Sequence, residues 1–65
     1  MVETAGYTNE EKLKVAEREV RQRFYVYPRR VEGKKMTREK ADYEIAVMQA
    51  IVEDYRALAA NERLL

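Results

Sequence analysis

The sequence predicts an all-α protein, an antiparallel hairpin of two long helices. Apolar residues recur at intervals of three or four over two stretches of the chain, and a short segment with a glycine separates the stretches. Strand signals are missing apart from the short run at residues 24–27, which the helical pattern around it outweighs. A chain of 65 residues forms one domain at most. We therefore expect residues 1–65 to be a single helical-hairpin domain.

The first predicted helix runs from about residue 9 to about residue 32, after a flexible tail at residues 1–7 that has no periodicity. Thr8 or Asn9 is a suitable N-cap, and acidic residues follow in the first turn, where they favour the positive end of the helix dipole. The apolar stripe of this helix consists of Leu13, Ala16, Val20, Phe24, Tyr27 and Val31.

Pro28 interrupts this stripe, because a proline inside a helix removes a hydrogen bond and clashes with the carbonyl of Phe24. Since Val31 continues the stripe, we expect a kink at Pro28 or a fresh helical turn after it, although the helix could also end just before the proline. Gly33 suits the left-handed position that closes a helix. The turn then spans residues 33–37.

The second predicted helix runs from about residue 38 to about residue 61, with Thr37 as its N-cap. Its apolar stripe is wider than that of the first helix. The stripe consists of Ala41, Ile45, Met48, Val52, Tyr55 and Ala59, broadened on one side by Ile51 and Leu58. Because the connection is short, the two helices must lie antiparallel.

The two helices carry more apolar residues than a single seam between them requires, and this excess predicts self-association. Val15 and Val26 flank the stripe of the first helix, as Ile51 and Leu58 flank that of the second. We expect a homodimer that forms a four-helix assembly, and the alternative is a monomer with scattered apolar surface residues. The predicted core and dimer residues are Val20, Phe24, Tyr27, Ile45, Met48, Ile51, Val52, Tyr55 and Leu58.

The composition argues against catalysis. The chain has no His and no Cys, so it lacks an imidazole base, a thiol nucleophile and the usual ligands of zinc, haem and iron–sulfur sites. We expect no enzymatic activity, no cofactor or metal, and no small-molecule substrate. No secretory signal and no membrane-length apolar run is visible, so the expected location is the cytoplasm.

Charge is unevenly distributed along the chain. Between residues 18 and 40, nine Lys or Arg stand against three Glu, whereas the net charge of the whole chain is +1. In a hairpin this places a basic tip at the turn, formed by Arg29, Arg30, Lys34 and Lys35. The cations of the tip could simply interact with the negative, C-terminal end of the first helix dipole and, in an antiparallel dimer, with the acidic end of a second copy. It could instead dock on an acidic protein surface or contact nucleic-acid phosphates.

Two tyrosines fall away from the apolar stripes. Tyr25 shares a face with basic residues of the first helix, and Tyr43 lies opposite the stripe of the second. Tyrosine is enriched at interfaces, so both are candidate contacts for a partner, although a solvent-facing tyrosine without a role is an equal alternative. The candidate partner-binding residues are Tyr43, Glu44, Val47, Arg18, Arg21 and Tyr25.

The segment from Tyr27 to Ile51 also carries a resemblance. Residues 27–37 read Y-P-R-R-V-E-G-K-K-M-T and residues 41–51 read A-D-Y-E-I-A-V-M-Q-A-I. This pattern, which covers about 25 residues, resembles a group of very small proteins of temperate bacteriophages and prophages.

The functional type that this resemblance implies is the phage quorum-sensing anti-activator. Such proteins are small helical dimers that bind a host LuxR-type transcriptional activator and block its action, and they also engage a pilus-assembly ATPase. We therefore expect a host regulatory protein as partner. The alternative function is a nucleic-acid-associated accessory protein that uses the basic tip, and a third option is a purely structural oligomerisation module.

Overall fold

The computed structural model describes residues 6–64, which form two α-helices packed against each other. Helix α1 comprises Asn9–Glu32 and helix α2 comprises Arg38–Leu64, and no strand occurs among these residues. The predicted all-α hairpin is thereby confirmed. Of the predicted flexible tail, residues 1–5 lie outside the described part of the chain.

Helix α1 begins with a capping box around Thr8. The backbone N–H of Glu11 donates to the Thr8 hydroxyl (3.0 Å), and the Glu11 carboxylate accepts from the backbone N–H of Thr8 (3.2 Å). This reciprocal pair satisfies two of the backbone donors that a helix start leaves free. Of the two N-caps that the sequence allowed, the structure selects Thr8.

Helix α1 passes through Pro28 without ending and closes at Glu32. The backbone N–H of Lys35 donates to the Arg30 carbonyl (2.8 Å), and that of Lys34 donates to the Val31 carbonyl (3.1 Å), the pattern of a Schellman motif.

The prediction that Gly33 takes the left-handed position was wrong. Gly33 has a φ of −80°, and Lys34, with a φ of 59°, is the left-handed residue. The reason is that helical backbone bonding continues to the glycine, which donates its N–H to the Arg29 carbonyl (2.9 Å). The reversal therefore falls one residue later.

Helix α2 begins at its predicted cap and ends later than predicted. The Thr37 hydroxyl accepts from the backbone N–H of Lys40 (3.2 Å). At the other end the helix continues three residues past the expected Asn61, to Leu64. In this last turn the Glu62 carboxylate accepts from the backbone N–H of Asn9 (3.0 Å), which joins the end of α2 to the start of α1.

The seam between the helices is narrow and built largely from small residues. The buried residues in the described chain are Leu13, Ala16, Ala41, Val52 and Ala59. Around four of them pack the half-buried side chains of Val20, Met48 and Tyr55. Because alanine allows close approach of two helices, the seam is compact but buries little apolar surface.

Phe24 departs from the predicted stripe. Its side chain is 52% exposed, although its neighbours one turn away on either side, Val20 and Tyr27, are half-buried. At 100° per residue Phe24 lies at one edge of the stripe, and the narrow seam, built largely from alanines, does not extend far enough to cover its ring. The large aromatic ring therefore stays largely in solvent.

Candidate interaction surfaces

One line of exposed apolar side chains follows helix α2. Val47, Ile51 and Leu58 are spaced by four and seven residues, so they share one side of the helix. All three are at least 36% exposed. Glu44 begins the same line, three residues before Val47. The residues that the sequence assigned to the side of the α2 stripe are therefore free to meet another molecule.

A second line on helix α1 lies on the same side of the hairpin. Val15, Glu19 and Val26 are spaced by four and seven residues and align along α1. The Arg23 Nε lies 3.2 Å from the Glu19 Oε1, and the Arg23 Nη1 donates to the Glu44 carbonyl (3.0 Å). Since Arg23 meets a residue of each line, both lines border the same broad side of the hairpin.

We call this side the apolar flank. Its members are Val15, Val26, Val47, Ile51 and Leu58, all exposed. The Arg23 side chain, which is 23% exposed, lies between the two lines and also approaches the Glu44 carboxylate, 3.9 Å from Nη1 to Oε1. The flank thus combines exposed aliphatic side chains with one charged network, in which Arg23 lies close to the carboxylates of Glu19 and Glu44.

The opposite side of the hairpin is polar. There the Arg56 Nη2 donates to the Glu17 carboxylate (3.2 Å), which links the two helices. Arg21, Gln49 and Glu53 lie around the same shallow hollow. This side offers no comparable row of exposed aliphatic side chains in the described residues.

The predicted partner-binding residues do not form one patch. Arg18, Arg21 and Tyr25 line a shallow hollow on the outer face of α1. Tyr43, which is 64% exposed, lies on the outer face of α2. Because the helices pack with their stripes facing each other, these two outer faces point in opposite directions.

Two of these candidate residues are engaged within the chain. The Arg29 guanidinium stacks on the Tyr25 ring at 4.3 Å from its centroid, and Arg29 Nη2 donates to the Tyr25 hydroxyl (2.7 Å). Glu44 is half-buried beside Arg23. Tyr43 and Val47 therefore remain the outward candidates on α2 with no partner inside the described chain.

The basic tip surrounds the turn. Lys34, Lys35, Arg38 and Lys40 line a hollow that also contains Val31 and Met36. Within residues 6–64 no carboxylate lies in ion-pair range of Arg29, Arg30, Lys34 or Lys35. The tip is thus a cluster of cations with an aliphatic centre.

Most residues predicted for the core or dimer face the seam, and three do not. Val52 is buried, and the half-buried members are Val20, Tyr27, Ile45, Met48 and Tyr55, whereas Phe24, Ile51 and Leu58 are exposed. The sequence placed the small residues Ala16, Ala41 and Ala59 on the stripes, but their importance for the closest approach was missed. The signal was their place on the stripes, and on the second helix Ala41 and Ala59 lie at the centre of the stripe.

No stretch of 18 residues in either described helix is apolar enough to cross a membrane. Clusters of three or more carboxylates that could hold a metal ion are likewise missing from the described residues. Comparisons with protein-family models, with curated proteins and with solved structures find no match to this chain.

Proposed function

We propose that this protein is not an enzyme and acts by binding and inhibiting a protein of its bacterial host. The observation that carries the proposal is the apolar flank, a row of exposed aliphatic side chains on a hairpin that buries few. Exposed apolar side chains grouped on one side of a small protein are typical of a protein–protein interface.

The small core supports the same proposal. Among residues 6–64 the buried set contains one leucine, one valine and three alanines. One buried leucine and one buried valine remove little apolar surface from water, whereas every ordered residue costs conformational entropy. A hairpin of this size therefore gains substantial stability when a second molecule covers its flank.

We propose that a second copy of the chain packs against the apolar flank. In this homodimer, Ile51 and Leu58 of each copy pack across a four-helix core. We further propose that α1 bends at Pro28, because the proline supplies no N–H to the Phe24 carbonyl. A bend at this point sets the direction of the basic tip relative to the rest of α1.

The inhibited partner that we propose is a cytoplasmic host regulator, specifically a LuxR-type transcriptional activator. The choice of this class rests on the resemblance of residues 27–51 to small temperate-phage proteins, and a pilus-assembly ATPase is a second partner that the resemblance implies. Tyr43 and Val47 supply the contact surface, since they remain outward on α2 and an exposed tyrosine is a frequent interface anchor.

The experiment measures whether the chain removes a purified LuxR-type activator from its operator DNA, with the activator taken from a bacterium that carries this gene in a prophage. We expect the wild-type chain to release the activator. Tyr43→Ala should weaken this effect by a factor of about ten or more, as expected for loss of an interface anchor. The matched control is Tyr25→Ala, the same substitution on the opposite outer face, which should act like the wild type.

Operator occupancy that stays unchanged at saturating wild-type chain would contradict inhibition of the activator. A loss confined to Tyr25→Ala would move the contact surface from α2 to the outer face of α1. Circular dichroism of each variant checks that the helices are retained.

A nucleic-acid-associated role is the second candidate, and the unpaired cations of the basic tip favour it. We rank it second for two reasons. The net charge of +1 provides little long-range attraction to a polyanion. The apolar side chains among the cations, Val31 and Met36, are aliphatic and cannot stack on bases as aromatic rings do.

A further inference from the structure

The cations of the basic tip form no ion pairs within the described residues. From Arg29 to Lys40 there are six Lys or Arg and two Glu. The ion pairs within residues 6–64 involve Arg23 and Arg56, neither of which belongs to the tip. Like charges gathered at one end of a helix pair repel each other, and a negatively charged molecule bound among them relieves this repulsion.

The cations surround an aliphatic hollow. Val31 and Met36, both half-buried, contribute to its lining, and Lys34, Lys35, Arg38 and Lys40 bring ammonium and guanidinium groups to it. Such a surface matches a ligand that alternates carboxylates with apolar side chains. A bare phosphate chain would leave the aliphatic part uncovered.

Lys34 adds an independent observation. It occupies the left-handed backbone region, with a φ of 59°, although a glycine stands immediately before it. Glycine adopts this conformation without strain, whereas a lysine does not. Backbone strain of this kind is often retained where a side chain serves function, and here the strained residue presents one of the tip cations.

We propose that the basic tip is a docking surface for an acidic, partly apolar segment of the protein partner. This inference rests on the proposed function, because it assumes that the partner is a protein. Carboxylates of the segment pair with Lys34, Lys35 and their neighbours, and an aliphatic side chain between those carboxylates covers Val31 and Met36. Tyr43, at the same end of the hairpin, extends the contact along α2.

The test uses the full-length chain and a fluorescein-labelled peptide in which Asp and Glu alternate with Leu. Fluorescence anisotropy at low salt measures the binding. A peptide with Lys in place of the acidic residues and a labelled DNA duplex are the comparison probes. We expect the acidic peptide to bind more tightly than either comparison probe.

The doubly charge-reversed variant Lys34→Glu/Lys35→Glu should weaken peptide binding by a factor of about ten or more, because like charges across an interface repel. The matched control is Lys14→Glu, an exposed lysine of α1 far from the tip, which should leave binding unchanged. Lys34→Gly relieves backbone strain and keeps the fold, and it should still weaken binding through the loss of one cation.

Three outcomes would overturn the inference. The first is equal peptide binding by the wild type and the doubly reversed variant, and the second is tighter binding of the DNA duplex than of the peptide. The third is a change in sedimentation of the doubly reversed variant, which would mean that the acidic end of a second copy covers the tip. If the wild type releases the activator from its operator but the tip variants bind the peptide normally, only this inference fails. If the wild type does not release the activator, the proposed function fails.

Discussion

Lys34 stands in a backbone conformation that costs a non-glycine residue about 1–2 kcal/mol. Gly33, one residue earlier, has an ordinary negative φ that any residue adopts. A Cβ added there would lie 3.4 Å from the Arg29 carbonyl oxygen, an ordinary contact distance. The backbone therefore favours glycine at position 34, where the chain has a lysine, and accepts any residue at position 33, where the chain has the glycine.

This arrangement predicts the effect of two substitutions on thermal unfolding. Lys34→Gly should stabilise the protein by about 0.5–1 kcal/mol, because relief of strain exceeds the entropy added to the unfolded chain. Gly33→Ala should be neutral or stabilising by about 0.5 kcal/mol, because alanine restricts the unfolded chain and fits the native φ. A clear loss of stability in Gly33→Ala would show that the glycine, and not the lysine, is the residue that the turn requires.

Arg23 is the residue that joins the two lines of the apolar flank. It contacts Glu19 and both the carbonyl and the carboxylate of Glu44, and it is much less exposed than Arg56, at 23% against 56%. We expect Arg23→Ala to lower the free energy of unfolding by about 1–2 kcal/mol, because a half-buried carbonyl and two carboxylates lose a charged donor. The control Arg56→Ala removes a solvent-exposed ion pair and should cost less than about 1 kcal/mol. Equal losses, measured by urea denaturation, would contradict this ranking.

At the scale of the helices, Pro28 is the least favourable residue for the structure it occupies. It lies inside α1 and leaves the Phe24 carbonyl without its usual helical donor. Pro28→Ala should therefore stabilise the chain by about 1–3 kcal/mol, which thermal unfolding followed by circular dichroism measures. A decrease in stability would mean that the packing at the end of α1 depends on the proline.

The seam between α1 and α2 depends on small residues. Ala59 is 1% exposed and lies in the core cluster, whereas the next residue, Ala60, is exposed. Ala59→Leu should destabilise by about 1–3 kcal/mol, because the added side chain forces the helices apart. Ala60→Leu adds the same atoms on the solvent side and should stay within about 0.5 kcal/mol of the wild type. Comparable effects of the two would show that the helices do not approach closely at Ala59.

The sequence was sufficient to predict both helices, their N-caps and most of their apolar stripes, because apolar periodicity and capping residues are local signals. It was insufficient where a contact between the helices decides the outcome. No local signal extends α2 past Asn61, since the bond between Glu62 and the start of α1 joins residues far apart in the chain. The exposed position of Phe24 likewise depends on how closely the alanines bring the helices together.

At the scale of the whole molecule, the sequence identified outward residues but not the sides they share. Periodicity alone put Tyr25 and Tyr43 away from the stripes. That the exposed lines of α1 and α2 border the same flank follows from the bonds of Arg23, which no local pattern reveals. The packing of the two stripes against each other likewise places the two predicted partner patches on opposite faces.

A flank of this kind also limits how the molecule can function. If a second copy covers the part near Leu58, the end with Tyr43, Val47 and the basic tip remains open to a different protein. Each dimer then presents two such ends. Substitutions near Leu58 should alter self-association, and substitutions near Tyr43 should alter partner binding while leaving the dimer intact.

The most direct test is sedimentation equilibrium of the chain over a range of concentrations, with helicity measured on the same samples. We expect a dimer whose mass and helicity fall together on dilution. Leu58→Glu should shift this transition to higher concentration, whereas Ala57→Glu, at the neighbouring exposed position, should not. A monomer that stays fully helical at the lowest micromolar concentrations, with Leu58→Glu indistinguishable from the wild type, would contradict the claim that a second copy covers the apolar flank near Leu58.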